Sequence, residues 1–413
     1  MNILRTASTI LVLLPLAGVL VGCEPKPTGT LMEPMEQGPD YDRRLPAGHL
    51  ALRKITNPAD LPDFTVAAAD RDNLLDAVRN SLNYLSKPSS QAFFPYGEIT
   101  HDQAVASLEA FADLVERDVP AGEMNDTLRR DFDVYTSVGW DGSGTVLFTG
   151  YYTPILNASR ERTERFRYPL YTAPDDLVKG PNGEILGQRT ASGAIEPYPT
   201  RKQIERSETL AGNELVWLEN RFEVYIAHVQ GSAKLRMQDG GMTTVGYSAS
   251  NGREYVSVGK ALVDAGEIPD DRLSLRAMID YFRLHPDRVQ PYTWKNPRFV
   301  FFTETSGPPR GSLNEPVLPM RSVATDKDIY PRACLTFVRT PLPQRGADSI
   351  VLQPYEGFAL DQDTGGALRA PGRCDIYRGT GVLAGELAGR TRQEGRLYYL
   401  FLKPGATPQP HGP

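Results

Sequence analysis

Histidine and cysteine are scarce in this chain, with 5 histidines and 3 cysteines among 413 residues. Neither an HExxH motif nor a paired CxxC motif occurs, and these are the spacings that bind zinc in peptidases and in structural sites. The histidines are scattered at His49, His101, His228, His285 and His411. We therefore predict no metal site and no cofactor, and a zinc amidase or peptidase is unsupported.

Nucleophile elbows, phosphate-binding loops and basic clusters are also missing. No Gly-x-Ser-x-Gly or Walker sequence is present. The net charge is −6 and no lysine and arginine cluster is interleaved with aromatic residues, so we expect no nucleic-acid partner. No apolar run beyond the N-terminal segment is long enough to cross a bilayer. These absences leave a soluble body of roughly average globular composition.

The N-terminus has the pattern of a secretion signal that ends in cysteine. A basic start at residues 2–5 precedes an apolar run over residues 10–21, and Leu20-Val21-Gly22-Cys23 is a small-residue cleavage site. The pattern resembles a bacterial lipoprotein signal (residues 1–23) with lipidation at Cys23; the alternative is an ordinary secretory signal with an incidental cysteine. Because Glu24 follows instead of aspartate, we expect a lipid anchor on the periplasmic side of the outer membrane.

The rest of the chain reads as helices followed by β structure. Residues 24–49 are rich in proline and glycine and are predicted to be a flexible tether. Apolar residues from Leu74 to Leu85 repeat at helical spacing, and Thr100 with Gln103 forms a capping-box pair. Further helices are predicted at Leu128/Phe132/Tyr135, after Thr200 and after Ser274. Strands are predicted at short apolar runs such as Val146–Phe148, Tyr225–Ala227 and Arg298–Phe302. Residues 404–413 are predicted to form a disordered tail.

Two aspartates flank a glycine turn near the C-terminus, in the segment FALDQDTGGALRAPGRCDIYRGTG. Asp363 precedes Gly365 and Gly366, and Asp375 follows a cysteine at the start of an alternating run. Glycines allow a close backbone approach to a ligand, so two strand ends could deliver both carboxylates to one concave site. Aspartate is also a common turn residue, and on the residues alone that structural alternative stays open.

The order of motifs over residues 130–405 resembles the membrane-bound lytic transglycosylase A family with its C-terminal three-aspartate module. The module's aspartates correspond to Asp326 in RSVATDKDIYP, Asp363 in QDTGGAL and Asp375 in CDIYRG. Upstream, the family's remaining elements correspond to Phe148–Pro154 (FTGYYTP), HVQGS around Gln230 and Gly231, Gly246-Tyr247, Asn251-Gly252, Tyr255, Val258-Gly259 and Asn296–Phe302 (NPRFVFF). So many matches in order make turn chemistry an insufficient explanation.

The resemblance also implies a fold. The pattern alone indicates mainly β structure with N-terminal helices. The family implies a double-psi β-barrel domain with an inserted second β domain and a glycan groove between them. On this sequence the barrel would comprise residues 50–155 and 308–403, with the three-aspartate module near 315–403, and the insert would span residues 156–307.

The activity that the resemblance implies is cleavage of the β-1,4 bond between N-acetylmuramic acid and N-acetylglucosamine, closing a 1,6-anhydro ring. Glycosidic cleavage needs a carboxylic acid that is protonated at neutral pH. The match assigns this role to Asp375, acting first as acid and then as base, with Asp363 as a neighbour that tunes or holds it. Asp326 is a candidate substrate contact, although fixing a turn is the favoured alternative. Asp361, two residues before Asp363, would face the same side by strand alternation.

The remaining motif residues are predicted to line the groove. Gly150, Tyr151, Tyr152 and Thr153 combine a glycine, two aromatic faces and a hydroxyl that suit a sugar ring, although tyrosines are equally common in β cores. Gln230 and Gly231 offer an amide for an N-acetyl group, or alternatively a turn hydrogen bond. Cys334 and Cys374 are a candidate disulfide, with two buried free thiols as the alternative.

Three functions remain open at this stage. The first is a lytic transglycosylase acting on peptidoglycan glycan strands. The second is an inverting glycoside hydrolase on the same barrel, with Asp363 activating water. The third is a non-catalytic peptidoglycan-binding lipoprotein, which the presence of both Asp363 and Asp375 disfavours. Besides glycan and membrane, cell-wall synthesis or division proteins are candidate partners.

Overall fold

The computed structural model describes residues 38–181 and 183–406, and Pro39–Ala406 form one compact unit. Cys23, most of the tether and residues 407–413 lie outside the described residues. The helices are α1 (Thr65–Ala69), α2 (Leu74–Leu85), α3 (His101–Glu116), α4 (Ala121–Asp131), α5 (Arg201–Glu205), α6 (Arg221–Gln230), α7 (Val258–Asp264), α8 (Leu275–Leu284), α9 (Val289–Thr293) and α10 (Val382–Arg390).

The strands alternate with these helices along the chain. They are β1 (Leu52–Lys54), β2 (Phe132–Ser137), β3 (Val146–Thr153), β4 (Ile155–Ser159), β5 (Tyr168–Tyr171), β6 (Leu177–Lys179), β7 (Ile185–Arg189), β8 (Ile195–Glu196), β9 (Glu214–Leu218), β10 (Ser232–Met237), β11 (Met242–Ser250), β12 (Val300–Thr305), β13 (Ser322–Ala324), β14 (Leu335–Arg345), β15 (Ile350–Asp363), β16 (Arg373–Thr380) and β17 (Arg392–Leu402).

Six of the strands close into a barrel. The largest sheet has the order β1-β2-β17-β14-β15-β13-β16-β3, and an additional pairing of β17 with β3 closes the six strands from β17 to β3 into a ring. A second, six-stranded sheet has the order β12-β11-β10-β4-β9-β5, so the chain leaves the barrel after β3 and returns to it at β13. A mainly β protein with a barrel, a second β domain and N-terminal helices was predicted, and this is confirmed. The double-psi connection stays a prediction.

The N-terminal helices share one hydrophobic core with the barrel. Phe64 and Phe111 pack edge-on against Phe337 and Phe358 of the barrel, with ring centroids 5.0 Å apart in both contacts. The second sheet has its own core, which includes Leu218, Val245 and Phe302. The barrel and the second sheet each bury their own apolar face, so the surface between these two parts remains free to form a cleft.

Helix caps explain where several predictions succeeded. The side chain of Thr100 accepts a hydrogen bond from the Gln103 amide at 3.1 Å, which starts α3. Thr200 and Gln203 form a complete capping box at α5, and the Ser274 side chain caps α8. These side chains satisfy amides that the first helical turn leaves unpaired, so the sequence signal is a local one.

Two element predictions were wrong. Phe132 and Tyr135 were predicted to continue a helix, but α4 ends at Asp131 and both residues lie in β2, where Tyr135 pairs with Tyr399 of β17. Tyr225–Ala227 was predicted to be a strand and lies in α6, which the Asn220 side chain caps at its start and Gly231 ends at a φ of 73°. In both places pairing or capping outweighed a short apolar pattern.

Candidate active site

A cleft of about 560 Å³ lies between the barrel and the second sheet. Its walls come from β3, the α6–β10 junction, β11, β12 with the segment before it, the loop before β13 and the loop between β15 and β16. Both aspartates singled out in the sequence line it, together with residues that include Gly150, Tyr151, Gln230, Gly231, Tyr247, Tyr255, Asn296, Arg298, Ser312, Thr364 and Arg369.

Strand register brings Asp363 and Asp375 to the same level of the barrel wall. Ala324 of β13 pairs with Asp363 of β15 on one side and with Asp375 of β16 on the other. Neighbouring strands are about 4.8 Å apart, so the two aspartate Cα atoms are roughly 10 Å apart. Residues in register project to the same face of a sheet, so both side chains are directed into the cleft.

A bulge separates Asp363 from the nearby Asp361. Val323 pairs with Asp361 and the next residue, Ala324, pairs with Asp363, so β15 has one extra residue at this point. Such an insertion reverses the side of the sheet on which the following residue lies. The expectation that Asp361 and Asp363 face the same side was therefore wrong. Asp361 is fully buried and accepts hydrogen bonds from Thr325 and Tyr399, both at 2.7 Å.

Asp375 is a half-buried carboxyl with few partners. The Thr149 hydroxyl of the adjacent β3 donates a hydrogen bond to its Oδ1, and no other side chain among the described residues donates to this carboxyl. Burial raises the pKa of Asp375 above that of a free aspartic acid, against the opposing effects of Arg373 and Thr149; Asp42 adds a smaller rise. The protonated acid therefore persists to higher pH than in water.

Asp363 has a different environment because it holds two loops together. Its Oδ1 accepts hydrogen bonds from the Ser312 and Thr364 amides, both at 2.8 Å. Burial raises the pKa of Asp363, whereas these two amides and the nearby Tyr151 hydroxyl lower it. Gly311 allows the close approach, since a Cβ there would lie 2.7 Å from the Gln362 carbonyl oxygen. A carboxylate held in this way is suited to fixing the site.

Four of the predicted groove residues line the cleft. Gly150 and Tyr151 contribute from β3, and Gln230 and Gly231 from the end of α6. The Gln230 Oε1 accepts a hydrogen bond from the Tyr152 amide at 3.0 Å. Its amide nitrogen therefore remains the group that can contact a ligand.

Three other predicted contacts lie outside the cleft. Tyr152 packs against α10, and Thr153 is buried and bonded to the Tyr377 hydroxyl at 2.9 Å. Asp326 is only 4% exposed, and its side chain accepts a hydrogen bond from the Asp328 amide at 3.2 Å, which is the turn role favoured from the sequence. Strand alternation explains the tyrosines, because consecutive residues of β3 face opposite sides.

Close packing of α10 against β3 explains why residue 150 is a glycine. A Cβ on Gly150 would lie 2.7 Å from the Ala388 Cα of α10. We expect Gly150→Ala to push α10 off β3 and to lower the free energy of unfolding by about 1–3 kcal/mol. Urea unfolding measures this. Gly122→Ala in α4 is the matched control, because nothing lies within 4 Å of its added methyl group, and it should not destabilise. Equal stability of the two variants would contradict this explanation.

Cys334 and Cys374 are both buried and both free in the structure, so no disulfide joins them here. The Cys334 thiol donates to the Arg332 carbonyl oxygen at 3.3 Å. Burial raises the pKa of both thiols, and Cys374 directly precedes Asp375 in β16. They therefore behave as small apolar residues of the barrel core.

Several lining residues were not assigned a role from the sequence. Tyr247, Tyr255 and Asn296 lie inside the quoted motifs, so the signal was present. Ser312 had no such signal, because its contact with Asp363 spans 51 residues of chain. Within the described ranges, no group of three or more histidine, cysteine or acidic side chains is arranged to hold a metal ion.

A closed barrel with an inserted β domain and a carboxyl-bearing cleft between them defines the class of two-domain β protein to which this chain belongs. A family model described as the MltA-specific insert domain matches residues 147–303, and a 3D domain model matches residues 321–401. The chain is 31% identical over 276 residues to the membrane-bound lytic murein transglycosylase A of Vibrio cholerae, covering 66% of this chain and 70% of that protein.

Other comparisons agree. The protein of the same name from Escherichia coli K12 is 31% identical over 290 residues, covering 69% of this chain and 73% of its own. A crystal structure of membrane-bound lytic murein transglycosylase from Agrobacterium tumefaciens has a TM-score of 0.72 at 27% identity, covering 86% of this chain and 99% of that one. E. coli MltA with bound chitohexaose has a TM-score of 0.65 at 26% identity, covering 90% and 99%.

The chain therefore belongs to the membrane-bound lytic murein transglycosylase A family, a family of enzymes. The resemblance found in the sequence is confirmed.

Proposed function

We propose that this protein is a peptidoglycan lytic transglycosylase that cleaves the β-1,4 bond between N-acetylmuramic acid and N-acetylglucosamine and forms 1,6-anhydromuramic acid. The observation that carries the proposal is Asp375, a half-buried carboxyl of raised pKa that lines the cleft. Family membership supports the substrate, and E. coli MltA has been solved with bound chitohexaose.

One carboxyl is sufficient for the proposed reaction. The protonated Asp375 donates its proton to the glycosidic oxygen as the bond to the anomeric carbon breaks. The resulting carboxylate then removes the proton from the muramyl 6-hydroxyl, whose oxygen bonds to the anomeric carbon. The acid is regenerated, no water is consumed, and a single side chain serves as acid and then as base.

Asp363 and Thr149 are proposed to position the reaction. Thr149 orients the Asp375 carboxyl by donating to one of its oxygens, which leaves the other oxygen for the substrate. Asp363 accepts hydrogen bonds from the Ser312 and Thr364 amides and thereby joins the loop before β13 to the loop after β15. Tyr151 and the Gln230 amide are proposed sugar contacts. Asp363→Asn should therefore weaken activity less completely than loss of Asp375.

The separation of the two carboxyls keeps an inverting hydrolase as the second candidate. Asp363 and Asp375 lie two strands apart, and inverting enzymes leave room for a water molecule between their carboxyls, about 6.5–9.5 Å apart. Against this, the Asp363 Oδ1 accepts two backbone amides that already occupy it. We therefore favour the transglycosylase.

Release of soluble fragments from purified sacculi tests whether the protein is catalytic at all. A transglycosylase or a hydrolase releases fragments continuously at catalytic amounts of protein. A non-catalytic binding lipoprotein sediments with the sacculi and releases nothing. Sedimentation without release would overturn the proposed activity.

For localisation we propose a lipid anchor at Cys23 on the periplasmic side of the outer membrane, with the part of residues 24–49 that precedes the compact unit, which starts at Pro39, as the tether. Among the described residues, no helix is long and apolar enough to cross a membrane. The Vibrio and E. coli relatives are named as membrane-bound. Cys23→Ser should abolish incorporation of labelled fatty acid, and persistent labelling would contradict the anchor.

The pH dependence of the activity should follow the charges around Asp375. The first step needs the protonated acid, so activity should fall as pH rises through the raised pKa. Arg373 lowers and Asp42 raises the pKa of Asp375, and the two form an ion pair at 2.9 Å. We expect Arg373→Gln to move the alkaline limb of the rate profile to higher pH and Asp42→Asn to move it to lower pH.

Arg373→Gln and Asp42→Asn form a matched pair of variants with opposite expected shifts. Shifts in opposite directions identify Asp375 as the titrating acid, whereas shifts in the same direction, or none, would contradict the assignment.

The pH dependence of the free energy of unfolding provides a second readout. Between the ordinary and the raised pKa the folded protein binds more protons than the unfolded chain, so Asp375 should lower the free energy of unfolding as pH rises through that window.

A further inference from the structure

Two arginines of the cleft lack an acidic partner in direct contact. Arg298 and Arg369 line it, and neither forms an ion pair with any of the residues that the structure describes. Arg201, which also lines the cleft, is paired with Glu205 at 3.1 Å and is structural by comparison. Arg369 donates one hydrogen bond to the Leu368 carbonyl oxygen at 3.2 Å, and its other donors, like those of Arg298, can serve a ligand.

The two arginines are also close enough to repel each other. Burial is the main cause that lowers the pKa of Arg298, and the charge of Arg369 lowers it further, whereas Tyr247 opposes both effects. Bringing like charges together in a partly desolvated place is unfavourable unless an anion binds between them. This arrangement is typical of a site that is completed by its ligand.

Arg298 is held in place against the loop that follows Asp363. A Cβ on Gly366 would lie 3.0 Å from the Arg298 Nε, so a side chain there would crowd the guanidinium group. The Arg298 Nη1 donates to the Arg253 carbonyl oxygen at 3.3 Å, which fixes one edge of the group. A fixed planar donor beside the carboxyls of the cleft can bind an anionic group of the same substrate molecule.

The electrostatic balance of the cleft agrees with an anionic ligand. Its acidic lining residues are Asp363 and Asp375, and Asp363 already accepts hydrogen bonds from the Ser312 and Thr364 amides. Besides Arg298 and Arg369, the exposed Arg310 adds a positive charge at the rim. A neutral sugar chain can accept only ordinary hydrogen bonds from these groups, whereas a carboxylate accepts the stronger charge-assisted ones.

We propose that Arg298 and Arg369, with the Tyr247 hydroxyl beside them, bind a carboxylate of the muramyl substrate and thereby distinguish peptidoglycan from a neutral N-acetylglucosamine polymer. The inference rests on the proposed function, because it takes the substrate to be peptidoglycan. The carboxylate has two sources of the same chemistry: the free lactyl group of a muramyl residue without a peptide, or a carboxyl group of the stem peptide.

Binding to defined oligosaccharides tests the site. Four ligands of equal glycan length are titrated into the Asp375→Asn protein, so that no ligand is cleaved. They are a neutral N-acetylglucosamine hexamer, a muramyl oligomer with free lactyl carboxylates, its lactyl carboxamide twin and an oligomer carrying stem peptides. We expect at least one carboxylate ligand to bind about tenfold or more tightly than the carboxamide, since charge-assisted hydrogen bonds are the strong ones.

Variants of the two arginines test whether these residues bind the carboxylate. In Arg298→Gln and Arg369→Gln the ratio of carboxylate to carboxamide affinity should fall towards one, whereas Arg345→Gln, at the exposed end of β14, should leave that ratio unchanged. The arm that shows the preference identifies the source of the carboxylate. Equal affinity for all four ligands, or a preference that survives in both variants, would overturn the proposal.

Two further readouts separate possible failures. If Arg298→Gln does not fold, as judged by thermal unfolding, the less constrained Arg369→Gln and the loss of the preference at high salt still test the site. Release of fragments from sacculi by the unmodified protein is measured in parallel. Release without any carboxylate preference would reject the arginine site alone, and absence of release would reject the proposed function.

Discussion

Replacement of Asp375 by asparagine is expected to abolish release of muropeptides from sacculi while leaving the fold intact. An amide keeps the shape of the side chain and can still accept the hydrogen bond from Thr149, but it can neither donate an acidic proton nor take one back. A positioned acid or base contributes about 10²–10⁴-fold, and here the same group serves both steps. Chromatography of the released fragments measures the loss.

The controls for this variant come from the same cleft. Binding of a neutral N-acetylglucosamine oligomer should change little, because the amide occupies the same volume. Thermal stability should not fall, because a half-buried carboxyl of raised pKa is replaced by a neutral group. Asp363→Asn should retain more activity than Asp375→Asn. Retention of most activity in Asp375→Asn would remove Asp375 from the mechanism.

The second large effect concerns stability. Lys327 forms a buried ion pair with Asp361 inside the barrel, where their side chains are 6% and 0% exposed. Lys327→Met would leave the Asp361 carboxylate with only its neutral donors, Thr325 and Tyr399. Breaking a buried pair by removing one partner costs about 3–5 kcal/mol, and we expect a loss of free energy of unfolding of that size in urea titrations.

An exposed pair provides the matched control. Lys54 pairs with Asp133 at 2.7 Å, but its side chain is 45% exposed. Lys54→Met should cost less than about 1 kcal/mol, because solvent screens such pairs. The double variant Lys327→Met/Asp361→Leu should recover part of the loss, since no buried charge remains. If Lys327→Met is no less stable than Lys54→Met, the buried pair has no structural role.

Local signals explain what could be predicted from the sequence. The caps at Thr100, Thr200 and Ser274 act within one helical turn, so the sequence contains everything needed to locate α3, α5 and α8. The motifs around Asp363 and Asp375 likewise predicted that two strand ends would bring these residues to one site. Non-local pairing decided the rest: Phe132 and Tyr135 became strand residues because β17 lies beside them.

In the active site, too, local signals were predictable from the sequence and non-local contacts were not. Which of Asp361 and Asp363 faces the cleft depends on a bulge in β15 opposite β13, and strand alternation alone gives the wrong answer. Gly150 was interpreted as access for a sugar, whereas the close approach of Ala388 explains its lack of a side chain. The unpaired state of Arg298 and Arg369 is a property of the assembled cleft, and no short pattern encodes it.

The mass of the products is the measurement that tests the central claim most directly. Purified sacculi are digested with the unmodified protein, and the muropeptides are analysed by mass spectrometry without chemical reduction. If Asp375 acts alone and the muramyl 6-hydroxyl is the nucleophile, the new ends are 1,6-anhydro rings, lighter by one water than reducing ends. New reducing ends, with oxygen from labelled water incorporated at the anomeric carbon, would contradict the account and identify a two-carboxyl hydrolase instead.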